Sequence, residues 1–568
     1  MLTCGLKLTH DGSVALFDDR KLLFSVEIEK IDNNPRYSSL TDLQLIPRIL
    51  GDFGVKVDDV DEFVIDGWDG QVNGRVDVTD RGTPAEILLA PYHEGGTANV
   101  LRAAHAGTFT LDGRERPFSS FFHVSSHLVS AYCTSPFAGR GEPSMALVWD
   151  GGMFPRLYYV DPANNAVENG GPVFPLIGHA YATAGHHFGP WKRTAHSETA
   201  DDLSVAGKLM AYIALGTSRP EVKAVLRQEF ENHFAGSTAT ARAFRERIGG
   251  WGTQFERSVT HLHPFYEAVS LGVARYGVSD EDVLASVHVF LQELLIEKLN
   301  EKIRAWKGAG PWNLTFSGGC GLNIKWNSAL RADALFADVW VPPFPNDSGA
   351  ALGTAAARIV ETQGLVPLEW HVRSGPQLRP TETVPAGWTV EDCTPAELAA
   401  VLHDTDEPLV MLNGRAELGP RALGGRSILG APVSPGMKEA LNKIKGREHY
   451  RPVAPLCLLD AAPEVFEPGT PDPHMLFEHR VRPEWLDRVP AITHLDGTAR
   501  LQTVSTEDDP VLEEVLRAYH RLSGVPVLCN TSANYNGSGF FPDVASVIEW
   551  GGVDRVWSEG RLYRRTSA

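Results

Sequence analysis

The chain has 568 residues, 43% of them hydrophobic and 22% charged, an ordinary globular mix long enough for several cores and in no need of a disulfide scaffold. With 52 Lys+Arg against 71 Asp+Glu the formal net charge is −19, which argues against broad nucleic-acid or anionic-membrane binding, because phosphate surfaces need clustered cations. The six cysteines (Cys4, Cys133, Cys320, Cys393, Cys457 and Cys529) form no C-x-x-C pair, no run of about 18 apolar residues occurs, and the opening MLTCGLKLTHDGS lacks a basic-then-apolar leader, so a cytoplasmic protein with reduced thiols is expected.

In chain order, LTCGLKL, VALFDD and RKLLFSVEIEK read as three strands, the first two joined by the turn THDGS and the next reversal made by Asp18-Asp19-Arg20. SLTDLQLIPRILGDFG sets Leu43, Ile46 and Leu50 at helical spacing, with Thr41 the expected N-cap and Pro47 an expected kink or end. EFVIDGW (62–68) reads as a buried strand. Residues 69–118, rich in Gly, Pro and polar side chains with no clear period, read as an insertion or long loop. SFFHVSSHLVSAYCTS (120–135) reads as a short helix, SMALVWDGG as a strand ending in Asp-Gly-Gly, and RLYYVDPANNAVENG as a hairpin.

The middle of the chain turns helical over 206–216 and 221–248. The strongest helix is 279–310, with Ser279 as N-cap, acidic residues in its first turn and Gly308 near its end. NLTFSGGCGLN is a strand running into a Gly-rich turn, and 338–364 reads as strand, Pro-rich loop and helix. Residues 365–395, Pro-rich and polar, are the expected linker between a bilobal first domain (1–364) and a second α/β region (396–568) with its own strands PLVMLNG, PVAPLCLLD, LQTVS and PVLCNTS.

Two groups of residues carry chemistry. His123 and His127, four apart on a helix, stack on one face. Asp150 and Asp347 each end a strand or loop in a Gly-containing turn, which lets a carboxylate point into a cleft. Two imidazoles with two carboxylates suit a borderline divalent ion such as Fe²⁺, Mn²⁺ or Zn²⁺. The second group lies late in the chain: NGRAELGPRALGGRSIL (413–429) carries Arg415, Arg421 and Arg426, and MKEALNKIKGREHYRPVAP (437–455) carries Lys438, Lys443, Lys445, Arg447 and Arg451. Cations alternating with Gly, Pro and apolar residues in an acidic protein suit a pocket for phosphate or carboxylate oxygens, the other reading being salt bridges between helices. Arg500-Leu-Gln502-Thr503 and Asn530-Thr531-Ser532-Ala533-Asn534 add hydroxyl, amide and backbone N–H donors able to cradle a phosphate.

His123-x-x-x-His127, Asp150-Gly-Gly, the turn Ser317-Gly-Gly-Cys-Gly-Leu-Asn323 and Asp347-Ser-Gly together resemble the TsaD/YgjD-like branch of the ASKHA superfamily. That resemblance implies that His123, His127, Asp150 and Asp347 bind a metal, with Fe²⁺ first. It implies that Gly318, Gly319 and Asn323 belong to a nucleotide or phosphate loop, and that His10, in the turn His10-Asp11-Gly12-Ser13, is an acid/base or orienting group; Lys208 reads either as a further phosphate contact or as a helix lysine paired with an acid. E-L-G-P-R-A-L-G-x-R-S-I-L, then K-x-R-x-x-x-R-P-x-A-P, then N-T-S resembles the NodU/CmcH/TobZ carbamoyltransferase family over nearly the whole chain. The T-S-A-N segment is similar to the YrdC-like fold, and the opening THDGSVALFDDRKLLFSVEIEK looks nearest the hydroxymethylcephem O-carbamoyltransferase subgroup. Leu418, Val453 and Ala533 depart from the family's usual residues in size or hydrophobicity.

The resemblance implies an α/β protein with a bilobal ASKHA (actin-like ATPase) N-terminal domain followed by a YrdC-like domain. It implies carbamoyl-adenylate formation from carbamoyl phosphate and ATP, with Mg²⁺ on the nucleotide, then transfer to a hydroxyl of a secondary metabolite in antibiotic biosynthesis. Lys445, Arg447, Arg451 and Arg500 would hold the ATP phosphates, and Arg415, Arg421 and Arg426 the carbamoyl phosphate or the triphosphate tail. Thr503, Asn530, Thr531 and Ser532 would hydrogen-bond the adenylate or carbamoyl group. His186 and His187 read as pocket-lining or structural. The partners expected are carbamoyl phosphate, a hydroxylated small molecule and a second copy in a homodimer, with no nucleic acid and no membrane. A tRNA threonylcarbamoyl-transferring enzyme and a nucleotide-dependent ASKHA binding module are the alternatives.

Overall fold

A computed structural model describes residues 1–68, 74–95, 98–193, 202–248, 259–381 and 383–566. The chain divides into two compact units, one of residues 1–23 and 40–369 and one of residues 24–39 and 370–568. Both mix strands and helices. Among the described residues no helix is long and apolar enough to cross a membrane.

In the first unit, β1 (Leu2–Lys7) pairs antiparallel with β2 (Ser13–Asp18), whose other neighbour is β3 (Lys21–Glu27), a strand that belongs to this unit as far as Leu23. On its far side β1 pairs parallel with β4 (Glu62–Asp66). The chain then makes a two-stranded ribbon, β5 (Gly74–Asp80) and β6 (Thr83–Leu89), before β7 (His105–Leu111) and β8 (Arg114–Phe121) return to the main sheet, whose order is β3-β2-β1-β4-β8-β7. The expectation of a long loop over 69–118 is therefore corrected: its described residues carry four strands. Their short alternating runs, such as Val76 and Val78 facing in between Arg75, Asp77 and Thr79, are too polar to stand out from composition alone.

The second sheet of this unit contains β9 (Ser144–Val148), β10 (Arg156–Asp161), β11 (Ala166–Pro172), β12 (Trp312–Ser317) and β13 (Phe336–Trp340), in the order β11-β10-β9-β12-β13. Both sheets run an antiparallel meander into a central strand and continue with parallel neighbours. The central strands read TCGLK and SMALV and are buried throughout, as strands covered on both faces must be.

The helix His123–Cys133 is buried at every position and packs on the helix Ala350–Gln363. Two glycines permit the fit. A Cβ at Gly353 would stand 2.2 Å from the Ser126 carbonyl oxygen, and one at Gly5 would stand 2.0 Å from that of Ala351. The helix Asp280–Lys307 matches its sequence signals: Ser279 Oγ accepts from Asp282 N, and Gly308 ends it at φ 94°. The helix expected after Thr41 starts only at Leu45 and runs to Asp52. Pro47 sits in its first turn, where a missing N–H costs no intrahelical bond, so it neither kinks nor ends it.

In the second unit an eight-stranded sheet is built from β14 (Trp388–Asp392), β15 (Leu409–Leu412), β16 (Arg426–Gly430), β17 (Ala454–Leu458), β21 (Gln502–Val504), β22 (Val527–Ser532), β23 (Arg555–Ser558) and β24 (Arg561–Arg565). Its order is β14-β24-β23-β15-β16-β22-β17-β21. The small strands β18 (Phe466–Glu467), β19 (His479–Val481) and β20 (Thr498–Ala499) form a separate three-stranded sheet. The helices Pro395–Thr405 and Pro510–Ser523 pack on each other and bury Leu398, Leu402, Leu512 and Leu516 in the core.

Candidate functional site

The first unit gathers His123, His127, Asp150 and Asp347 so that one ligand atom from each lies within 4.8 Å of all the others. Helical spacing brings the two imidazoles together, Nε2 to Nε2 at 3.1 Å. Asp347, where the chain turns into the helix Ala350–Gln363, sets Oδ1 3.3 Å from His123 Nε2 and 3.4 Å from His127 Nε2. Asp150 follows β9, with Oδ2 3.9 Å from His123 Nε2. It is held from two sides, by the Tyr92 hydroxyl on Oδ2 and by the Gly319 N–H at 2.7 Å on Oδ1.

Behind these four side chains lies a buried polar layer. His123 Nδ1 is 2.6 Å from Asp66 Oδ2, at the end of β4, and Ser126 Oγ donates to Asp66 Oδ1 at 2.5 Å. With its Nδ1 proton on Asp66, a neutral His123 presents the Nε2 lone pair to the cluster. Lys7, at the end of β1, bridges Asp66 Oδ2 at 3.1 Å and Asp347 Oδ2 at 2.9 Å, and its ammonium lies over the Trp68 ring. His10 lies in the β1–β2 turn, with Nδ1 2.9 Å from Asp11 and Nε2 3.6 Å from Asp347 Oδ2.

Burial alone would push the three carboxyls up, yet each is held below its ordinary range. Asp66 is lowered by His123 and Lys7, and Asp347 by Lys7, His123 and His10. For Asp150, burial and the Asp347 charge oppose ionisation and the two imidazoles outweigh them. Burial would likewise depress His123 and His10, but the carboxylates beside them hold both above the usual imidazole range. The buried carboxylates outnumber the one buried ammonium, and a divalent cation would take the place of the protons that they hold on the imidazoles. The donor set fits a borderline divalent metal.

The Gly-rich turn after β12 touches this cluster. Gly318 adopts φ 88°, and a Cβ there would meet the Trp149 carbonyl at 2.4 Å. Gly319 bonds Asp150, and Asn323 caps the helix Ile324–Ala332 through Trp326 N. Lys208 is half-buried on the helix Asp202–Tyr212. His186 and His187 end the helix His179–His187, where His187 Nε2 is 3.0 Å from His263 Nδ1.

In the second unit the expected cations separate into two groups. Arg415 donates to the carbonyls of Gly375 and Ser374, and Arg426 to those of Asn413, Gly414 and Gly425, so both brace backbone. Arg421, Arg447, Arg451 and Arg500 instead share one neighbourhood. Burial followed by Arg500, Arg36 and Arg451 drives Arg421 well below the usual guanidinium range. Burial, Arg451 and Arg500 bring Arg447 down to about 9, and burial with Arg451 brings Arg500 to about 10. Burial is the larger cause in each case, and the neighbouring guanidinium charges add a positive potential that a bound anion would relieve. The buried Nε atoms of Arg421, Arg447 and Arg500 have no hydrogen-bond partner, and the nearest acid to Arg451 is Glu448 at 3.7 Å.

Lys445 is buried and donates to the carbonyls of Ser532 and Asn534 and to Asn534 Oδ1. Burial, Arg447 and Arg36 hold its ammonium well below the ordinary lysine range. Asn530 Nδ2 donates to Ala422 O, leaving its Oδ1 buried without a partner, and Ser532 Oγ donates to Asn534 Oδ1. Thr503 Oγ1 accepts from Asp472 N, and Thr531 is paired with Ile428 between β22 and β16.

Sequence reasoning missed Lys7, Asp66, Tyr92 and Arg36. A lysine closing the buried run TCGLK was a signal for the first, since a charge at the end of a covered strand needs a partner.

Residues 2–356 match the family model described as Carbamoyltransferase N-terminus, and residues 400–555 that described as Carbamoyltransferase C-terminus. The chain is 50% identical to Nodulation protein U of Sinorhizobium fredii, over all of both chains. It is 32% identical to the 3'-hydroxymethylcephem-O-carbamoyltransferase of Streptomyces clavuligerus, over 100% of this chain and 99% of that one. Over the whole length the identity to Nodulation protein U is higher than that to the cephem enzyme. The crystal structure of T. kodakarensis HypF aligns at 13% identity and a TM-score of 0.32 over 64% of this chain and 48% of that one.

Proposed function

The chain belongs to the carbamoyltransferase family, and on that premise we propose that it is an ATP-dependent O-carbamoyltransferase whose acceptor is a hydroxylated secondary metabolite, as in antibiotic biosynthesis. The observation that supports the nucleotide step is the set of partly buried, mutually repelling cations Arg421, Arg447, Arg451 and Arg500. A polyanion bound among them would relieve that repulsion.

In this reading the second unit is a YrdC-like domain. Carbamoyl phosphate is hydrolysed to carbamate and phosphate, and a carbamate oxygen attacks the α-phosphorus of Mg²⁺-bound ATP. Carbamoyl-adenylate forms and pyrophosphate leaves. The cations neutralise the charge that builds on the phosphoryl oxygens, and Asn530, Thr531, Ser532 and Thr503 orient the small carbamoyl group.

We read the first unit as the bilobal ASKHA-type domain, supported by the strand order that its two sheets share. There the acceptor oxygen attacks the carbamoyl carbon, its proton leaves, and AMP departs. His10 takes that proton in this reading; Asp11 orients its Nδ1, and the flanking carboxylates raise its basicity. His123, His127, Asp150 and Asp347 hold a divalent metal, with Fe²⁺ first and Mn²⁺ or Zn²⁺ as alternatives; when bound it supplies Lewis acidity and a ligand position for phosphate.

Product is expected only when ATP and carbamoyl phosphate are supplied together. Arg451→Ala should lower carbamoyl-phosphate-dependent ATP–pyrophosphate exchange by about 100-fold or more. Exchange at the parent rate in that variant would refute the reading.

A further inference from the structure

The segment 24–39 is the one stretch of the first forty residues that belongs to the second unit, and it is clipped to both loops that carry that unit's cations. At one end Lys30, fully buried, pairs with Glu27 at 2.6 Å and donates to the carbonyls of Glu417 at 2.5 Å and Gly419 at 2.7 Å, just ahead of Arg421. At the other end Pro35 bridges Ser538, the Arg36 N–H donates to Gly537 O at 2.8 Å, and Gly539 N–H donates to Asn34 O at 3.0 Å. Those residues lie on the turn whose base, Ser532 and Asn534, holds Lys445.

The contact tolerates no side chain at residue 539, where a Cβ would stand 1.7 Å from the Glu29 carbonyl oxygen. Tyr37 adopts φ 63°, a conformation costly for an aromatic residue, and its N–H is held by buried Glu29 Oε2 at 3.0 Å, which also lies 3.9 Å from Arg36 Nε. A strained backbone fixed by a buried carboxylate therefore aims one guanidinium, whose side chain is 36% exposed.

We propose that Arg36 is an anion-binding residue of the second unit's site, contacting phosphoryl oxygens of the nucleotide or of carbamoyl phosphate beside Arg421 and Arg451. The inference rests on the reading of that site given above. Its support beyond the clips is electrostatic: Arg36 lies close enough to Arg421, Arg451 and Lys445 to depress all three. Guanidinium groups from two distant stretches of chain converge here, an arrangement that a bound anion would stabilise.

The test is isothermal titration of the full chain with inorganic pyrophosphate and, separately, with carbamoyl phosphate, for the parent, Arg36→Ala, Arg36→Gln and Arg451→Ala. Arg36→Ala and Arg36→Gln should each bind one or both anions about tenfold more weakly or worse, with unchanged thermal melting. Which anion loses affinity tells whether Arg36 serves the nucleotide tail or the acyl phosphate. Binding within twofold of the parent for both anions in the Arg36 variants, with Arg451→Ala impaired, overturns the assignment of Arg36 and leaves the site. Parent-like binding in Arg451→Ala as well overturns the site reading itself.

Discussion

Asp66→Asn is the most informative single change in the first unit. The Asp66 side chain is fully buried and makes three contacts, to His123 Nδ1 at 2.6 Å, Ser126 Oγ at 2.5 Å and Lys7 Nζ at 3.1 Å. An amide keeps the shape but removes the charge. It reduces the pull that holds the His123 proton on Nδ1, and it leaves Lys7 with Asp347 as its main counter-charge. Loss of a carboxylate that orients a ligating histidine typically costs 10–100-fold in metal affinity, about 1.4–2.7 kcal/mol. The smaller negative charge of the pocket acts in the same direction. Competition of the stripped protein against a calibrated chelator for Fe²⁺, Mn²⁺ and Zn²⁺ measures this directly, and a Co²⁺ absorption spectrum reports altered ligand geometry. Asp66→Glu, which restores the charge, should regain part of the affinity. If Asp66→Asn holds all three ions within twofold of the parent, Asp66 does not organise the cluster and the proton placement on His123 is wrong.

Two further outcomes follow from buried groups elsewhere in the first unit. His288 is buried against Trp326 and Tyr181, and burial with Lys325 lowers it to about 3 from an ordinary 6.5. The unfolded chain therefore takes the proton first as pH falls, so stability is full above about 6.5 and declines below it. The loss reaches roughly 2–3 kcal/mol at about pH 4.5, and His288→Leu should flatten that part of a pH series of urea midpoints relative to the parent. Gly353→Ala forces a methyl to 2.2 Å from the Ser126 carbonyl, so the two helices must separate. A loss of about 1–3 kcal/mol is expected, read as a lower unfolding midpoint together with weaker metal retention.

How much of this could be read before folding differs from feature to feature. The pair His123 and His127 was legible because helical spacing is local, and so was the helix from Ser279 to Gly308, whose caps lie in the sequence itself. The four strands between Gly74 and Phe121 were not, because a strand that alternates one valine with one aspartate gives a weak signal until its partner is known. Asp66 and Lys7 end adjacent parallel strands separated by more than fifty residues, and only the pairing of β1 with β4 brings their side chains together. The cationic loops were legible as a collection of arginines. Which of them face one another, and which hold carbonyls as Arg415 and Arg426 do, depends on turns whose geometry is fixed by tertiary contacts.

The membership of residues 24–39 in the second unit bears on how the chain is made. This short piece is synthesised well before the rest of its unit, which is encoded from residue 370 onward. At roughly 5–20 residues per second, about a quarter of a minute to a minute of elongation separates residue 39 from residue 370. Throughout that interval Lys30 awaits the Glu417 and Gly419 carbonyls, and the Glu29 carbonyl awaits its close approach to Gly539. A fragment starting at residue 370 should consequently emerge ill-folded, and supplying the early piece as a separate peptide should restore its compactness.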